Sequence, residues 1–204
     1  MAEVELLAWD IGGVLLSDGW DREERREACR HFGLDESGFE RRHESVVDEF
    51  ERGRLSLDDY LGQVVGAGRP EGELAEWKRF IFEQSVGDEA MLSMVRELAD
   101  EGRYFLAALN DESREINLHR IHEFHLDEVF DAFFSSCFTG FRKPSSEAFR
   151  MLLDVCQRDS STVAFVDDRP ENVDAAARSG MLAIQFHDAG QLRRELERVG
   201  VRWG

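Results

Sequence analysis

Apolar residues fall into short unbroken runs separated by longer, charged, helix-like stretches. Val4-Glu5-Leu6-Leu7-Ala8-Trp9 is a short, mostly apolar run that stops at Asp10 and a Gly12-Gly13 pair, the pattern of a buried strand closing in a tight turn. Four further runs have strand character: Tyr104 to Leu109, stopping at Asn110-Asp111; Val129 to Ser135; Thr162 to Val166, stopping at Asp167-Asp168; and Met181 to Phe186. The stretches Glu89 to Glu101 (closed by Gly102), Ser113 to His125, Ser145 to Arg158 and Pro170 to Ser179 predict helices between them. The tail from Gln191 to Val199 predicts a closing charged helix. Strands alternating with helices imply an α/β fold, a parallel sheet with helices on both faces.

From about Asp21 to Gln84 the alternation lapses. Arg22 to His31, Ser37 to Arg52, Ser56 to Val65 and Glu71 to Glu83 read as four helices, punctuated by Gly33, Gly53 and the Gly66 to Pro70 stretch. Asp35 before Glu36, and Ser56 three residues before Asp59, mark helix starts with acidic first turns. In parallel sheets ligands bind beyond the carboxyl ends of the strands. The polar punctuation recurs there, at Asp10, Asn110-Asp111 and Asp167-Asp168.

Composition narrows the function. With 204 residues, 42% hydrophobic, the chain is long enough to bury a substantial core and to hold one domain plus an inserted one. The 25 basic and 43 acidic residues give a formal charge of −18, which opposes nucleic acid as a partner. The same balance repels small anions, so a phosphorylated ligand must be captured by local positive charge, a metal or helix N-termini. No apolar run approaches the roughly 20 residues a membrane helix needs. The start, MAEVELLAWD, has no basic region or small-residue cleavage site, so the expected setting is cytoplasmic. Cys29, Cys137 and Cys156 are odd in number and widely spaced, and read as reduced packing residues.

An acid after an apolar strand is, taken alone, more often a turn former than a catalyst. Two adjacent carboxylates are rarer, because like charges placed together need a cation or basic group to offset them. Lys143 supplies a candidate, in Gly140-Phe141-Arg142-Lys143-Pro144-Ser145, where Pro144 fixes a loop and is suited to opening the next helix at its first turn.

Taken in order, Trp9-Asp10-Ile11-Gly12-Gly13-Val14-Leu15, the strand ending at Asn110, Arg142-Lys143-Pro144 and Phe165-Val166-Asp167-Asp168-Arg169-Pro170-Glu171-Asn172-Val173 resemble the four motifs of the haloacid dehalogenase-like hydrolases. The resemblance is to the helical-cap subclass with a DxGGV-type first motif. It implies a Rossmann-like core over residues 1–16 and 88–204, with an all-α cap inserted at 17–87. It implies Asp10 as nucleophile, Lys143 and Asn110 as its catalytic partners, and Mg2+ held by Asp10, the Gly12 carbonyl, Asp167 and Asp168. Asp18, Trp20, Arg22, Arg42 and His43 are candidates for the substrate-facing surface of the cap. The expected partner is a small phosphorylated metabolite, with the protein a monomer or homodimer.

Two positions depart from the family pattern. Gly12 stands where phosphatases carry a second aspartate as general acid and base, a group worth on the order of 100 to 10,000-fold in rate; either the rate is low, the leaving group needs little protonation, or another residue substitutes, for which Asp18 is the candidate. Leu109 stands where a Ser or Thr binds the transferring group. Hence two readings stay open, a Mg2+-dependent phosphatase working through phospho-Asp10 and a degenerate binding or regulatory protein of the same fold. A third, a 2-haloacid dehalogenase, is opposed by Asp167-Asp168. His119, His122 and His125 suggest a zinc site, but 100° per residue puts the outer two about 120° apart on one solvent-facing helix. His187 and Asp188, after the last strand, fit the rim of the site and a plain loop equally well.

Overall fold

The computed structural model describes residues 3–66 and 71–204. Strands β1 (Leu6–Trp9), β2 (Phe105–Ala108), β3 (Ala132–Phe133), β4 (Val163–Asp167) and β5 (Leu182–Gln185) form one parallel sheet in the order β3-β2-β1-β4-β5. The helices among the described residues are α1 (Arg22–Phe32), α2 (Glu36–Glu51), α3 (Leu57–Val64), α4 (Glu71–Glu83), α5 (Glu89–Glu101), α6 (Arg114–Glu123), the short α7 (Ser136–Thr139), α8 (Ser146–Cys156), α9 (Pro170–Arg178) and α10 (Ala189–Arg198).

The strand runs are apolar up to their last residues, with Asp167 ending β4 and Gln185 ending β5, because both faces of the sheet are covered. Leu7, Trp9, Leu106 and Val166 pack on Val95 and Leu98 of α5 and Leu192 and Leu196 of α10. On the other face, Leu6, Ala8, Ala107 and Phe165 meet Phe149 and Leu152 of α8 and Ala175 and Ala176 of α9. Phe165 is fully buried and also lies 5.6 Å below the Lys143 ammonium, so its truncation to Ala, about 3–5 kcal/mol in such cores, would disturb the site as well as the sheet.

The four helices α1 to α4 have a core of their own. Trp77 stacks between Phe32 at 4.1 Å and Phe39 at 5.8 Å, and Phe50 stacks on Tyr60 at 4.0 Å. Ile116 of α6 joins this cluster and seats the block on the sheet layer. Two connectors run side by side at the neck: the Ser17 N–H donates to the Val86 carbonyl at 2.8 Å, and Ser17 Oγ donates to the Gln84 carbonyl at 2.7 Å. The Arg120 guanidinium, 1% exposed, holds both, donating to the carbonyls of Ser17 and Asp18 and to Ser85 Oγ. Gly19, at φ 80°, passes so close that a Cβ there would lie 1.6 Å from Arg120 Nη2.

Asp35 and Ser56 cap α2 and α3 as expected, accepting from Gly38 N and Asp59 N. Three expectations are corrected. The Val129 to Ser135 run yields only Ala132–Phe133 as strand; Asp131 turns its carboxylate to the Leu106 N–H, and Ser135 already caps α7. Pro144 lies in the loop before α8, which starts at Ser146 behind the Ser145 cap. His125 falls beyond the end of α6 with φ 53°, so the three histidines do not share one helix, and His119 stacks on Phe82 at 4.5 Å. Of the Gly66 to Pro70 break, residues 67–70 lie outside the described residues.

No described helix is long and apolar enough to cross a membrane, and all three cysteines are free.

Candidate active site

The chain leaves central β1 toward β2 and β3 on one side and returns to β4 and β5 on the other, so a crevice opens at the carboxyl ends of β2, β1 and β4. Asp10 follows β1 directly, tied to β4 by its N–H to the Val166 carbonyl at 2.9 Å. Its Oδ1 accepts from the Ile11 N–H at 2.8 Å, which aims Oδ2 at Lys143. The Lys143 ammonium lies 2.9 Å from Asp10 Oδ2 and 2.6 Å from Asp167 Oδ2, with its side chain 1% exposed. Asp111 fixes the approach of this lysine by accepting from its backbone N–H at 3.1 Å.

The adjacent acids are not equivalent. Asp167 is saturated: Lys143 Nζ and Asn172 Nδ2 donate to Oδ2, and the Arg169 N–H and Asn172 Nδ2 to Oδ1. Asp168 is half-buried, and its Oδ1 is covered from solvent with no hydrogen-bond partner. Gly13, at φ 71°, passes under it, and a Cβ there would meet Asp168 Oδ2 at 2.7 Å.

One oxygen each of Asp10, Asp167 and Asp168 lie within 4.8 Å of one another. Burial first, then Asp167, raises the Asp10 pKa to about 8 despite Lys143. Asp168 is also raised, by burial and by Asp167 and Asp18. Burial opposes the charge on Lys143, but Asp10 and Asp167 together carry its pKa above the usual lysine range. Three carboxylates against one ammonium leave uncompensated charge and an unpartnered oxygen, so the donor set fits a hard divalent cation, which takes oxygen ligands and would return Asp10 to its ionised form.

Above the acids lies a cavity of about 340 Å³, walled by the strand ends below and by α1 and α2 above. Asp18, Trp20, Arg22 and His43 line it, alongside Glu51, Glu112, Arg120, Arg142 and Arg169. Asp18 Oδ1 lies 3.5 Å from Arg169 Nη2. Burial raises Glu51 to about 7 against the pull of Arg142, with which it pairs across the interface between helical block and sheet. Burial also raises Glu112, partly offset by Arg120, whose Nη1 lies 3.3 Å from Glu112 Oε2.

Two expected site residues face elsewhere. Arg42 does not line the cavity; its Nε donates to the Val64 carbonyl at 2.7 Å and staples α2 to the end of α3. Asn110 lies just beyond β2, but its amide donates to Asn117 Oδ1 and its oxygen accepts from Ser135 Oγ in a buried network, so the side chain is spent on holding the turn. Leu109 is buried in the core with Ala107 and Phe165 and offers no hydroxyl. Asn172 stood in the Asp167-Asp168 motif and was legible as part of it. No sequence signal singles out Arg120 or Glu112, which meet only through the fold.

A profile of haloacid dehalogenase-like hydrolases matches residues 4–180. The sesquiterpene phosphatase astK of Aspergillus oryzae is 31% identical over 74% of this chain and 78% of its own. Drimenol cyclase drtB of Aspergillus calidoustus is 24% identical over 96% of this chain, which spans 36% of that longer protein. Among solved structures, the had family enzyme bt-2542 of Bacteroides thetaiotaomicron superposes with a TM-score of 0.77 at 18% identity, covering 95% of this chain and 100% of its own. With its motifs gathered at the strand ends and the profile spanning both sheet and helical block, the chain belongs to the haloacid dehalogenase-like hydrolases.

Proposed function

We propose that the protein is a Mg2+-dependent phosphomonoesterase that acts on a small phosphorylated metabolite through a phospho-Asp10 intermediate. The observation that carries this reading is Asp10 Oδ2 held 2.9 Å from a buried Lys143 beside the unpartnered Asp168 oxygen, a nucleophile next to two places for positive charge. The likeness to a sesquiterpene phosphatase supports it, as does the fold shared with bt-2542, which has been crystallised with magnesium and inorganic phosphate.

Asp10, Asp168, Asp167 and the Gly12 carbonyl would hold Mg2+, which when bound neutralises charge on the transferring oxygens and keeps Asp10 ionised. Asp10 attacks phosphorus, the new O–P bond forms as the bond to the leaving oxygen breaks, and Lys143 offsets the charge gathered on the phosphoryl group. The leaving oxygen takes a proton from a cavity side chain, Asp18 in this proposal, which then receives one from the water that releases phosphate. Residues 17–87 would serve as the cap over the core of 1–16 and 88–204, and its Trp20 and His43, which line the cavity, would face the leaving group. Closure would keep bulk water away while the ester transfers its phosphoryl group, and reopening would admit the water that releases phosphate.

Leu109 and Gly12 favour a second reading, a binding or regulatory protein that keeps the metal site without turnover. A panel of phosphate esters assayed with wild type and Asp10→Asn separates the two. Mg2+-dependent hydrolysis, abolished by EDTA and by Asp10→Asn, is the expected result. Inactivity on every ester with Mg2+ bound, or activity that survives metal removal verified by elemental analysis, would overturn the enzyme assigned here.

A further inference from the structure

A buried hydrogen-bond chain fixes the proton of one cavity side chain. Trp20 Nε1 donates to Tyr60 Oη at 2.9 Å, and Tyr60 Oη lies 2.8 Å from His43 Nδ1. Indole nitrogen only donates, so the phenol oxygen is the acceptor in the first contact. Tyr60 is fully buried, and among the described residues its hydrogen has no acceptor except His43 Nδ1. If Nδ1 carried a proton instead, the phenol hydrogen would be left unsatisfied in the core, a cost of about 1–3 kcal/mol. Nδ1 therefore accepts, and the imidazole is neutral with its proton on Nε2. Burial and the nearby Arg25 agree, holding the His43 pKa down to about 4.

Nε2 is on the opposite edge of the ring. His43 is 7% exposed and lines the cavity, and its one hydrogen bond among the described residues is made by Nδ1, which leaves Nε2 free to donate there. Of the described side chains lining the cavity, Phe50 alone has no polar atom. A hydrocarbon chain there would strip water from charged and amide groups without replacing their hydrogen bonds.

We propose that the His43 Nε2–H selects the substrate by donating to an oxygen in its leaving portion, so that the substrate is the phosphate ester of a small hydroxylated compound rather than of a hydrocarbon alcohol. This rests on the phosphatase reading and adds the substrate class. The donor is set in place by Tyr60 and Trp20 before the substrate arrives, so little ordering is lost on binding.

The test uses the full chain labelled with 15N, with glycerol 2-phosphate as hydroxylated probe and phenyl phosphate as comparison. The imidazole resonances of His43, assigned by their loss in His43→Gln, are expected in the unprotonated range for Nδ1 and the protonated range for Nε2. In the Asp10→Asn protein with Mg2+, glycerol 2-phosphate is expected to shift Nε2 more than phenyl phosphate does. In steady-state kinetics, His43→Phe is expected to raise KM for glycerol 2-phosphate about threefold to tenfold more than KM for phenyl phosphate, the span of one neutral hydrogen bond. His43→Gln, which keeps an amide donor, is expected to recover part of the difference. A proton on Nδ1, equal shifts from both esters, or equal KM changes would overturn the proposal. If no ester is hydrolysed, the phosphatase reading falls, while the resonances still decide where the proton sits and which probe His43 meets.

Discussion

Asp10→Asn tests the electrostatics of the site through stability. Burial and the neighbouring Asp167 raise the Asp10 pKa from 3.8 to about 8. Between these values the folded protein keeps a proton that the unfolded chain releases, so stability is full below pH 3.8 and is lost as pH climbs toward 8. Each pH unit in that window costs about 1.4 kcal/mol. Asparagine titrates in neither state, keeps an oxygen for the Ile11 N–H and leaves Asp167 to hold Lys143. The metal-free variant should therefore gain on wild type by about 3 kcal/mol between pH 5 and pH 7, one proton over two units. Urea unfolding in EDTA at pH 5, 6 and 7 gives the difference directly, and other titrating groups cancel between the two proteins. Saturating Mg2+ should shrink or reverse the gain, because the variant has lost a ligand. A difference that stays flat with pH, or that favours wild type increasingly toward pH 7 in EDTA, would refute the reasoning.

Three further outcomes are expected. Lys143→Met leaves the buried Asp10 and Asp167 without their shared cation and should cost about 3–5 kcal/mol in thermal or urea unfolding, partly recovered by Mg2+; an unchanged melting point would show the ammonium to be dispensable. Gly13→Ala puts a methyl group 2.7 Å from Asp168 Oδ2 at a left-handed backbone position, and calorimetric titration should find Mg2+ affinity weakened at least tenfold, against no change if Asp168 is not a ligand. Gly12→Asp has room, since a Cβ there meets nothing closer than Arg120 Nη1 at 3.5 Å; on an ester that wild type hydrolyses, kcat should rise about 100-fold if proton supply limits the reaction, and an unchanged kcat would place the limit elsewhere.

The sheet was readable because strands covered on both faces are apolar along their length, and Leu6–Trp9 or the first four residues of Val163–Asp167 can satisfy that pattern in few other ways. β3 was overestimated because Val129 and Phe130 are apolar for a different reason: they plug the core from a turn, and only two residues pair with Ala107 and Ala108. Site residues were legible where position alone fixes them. Asp10 and Asp168 follow strands and Asp167 ends one, so these short side chains stay at the crevice. Asn110 and Arg42 are longer stories, since each has a competing partner that the linear sequence hides: Asn117 and Ser135 across a turn, and the Val64 carbonyl at the end of another helix. Glu112 and Arg120 are eight positions apart and meet through the packing of α6 against both connectors.

That neck has an engineering consequence. The helical block has its own aromatic core, and its connectors are fastened through Ser17, Ser85 and a single guanidinium rooted in the sheet layer. Such a socket suits the block to exchange: a foreign helical insertion that keeps Ser17, Asp18, Gly19 and Ser85 at its ends should dock on the same arginine and, under the phosphatase reading proposed above, place a new wall over the same acids and lysine. Change can thus accumulate in one segment of the chain while the acids and lysine at the strand ends are left in place.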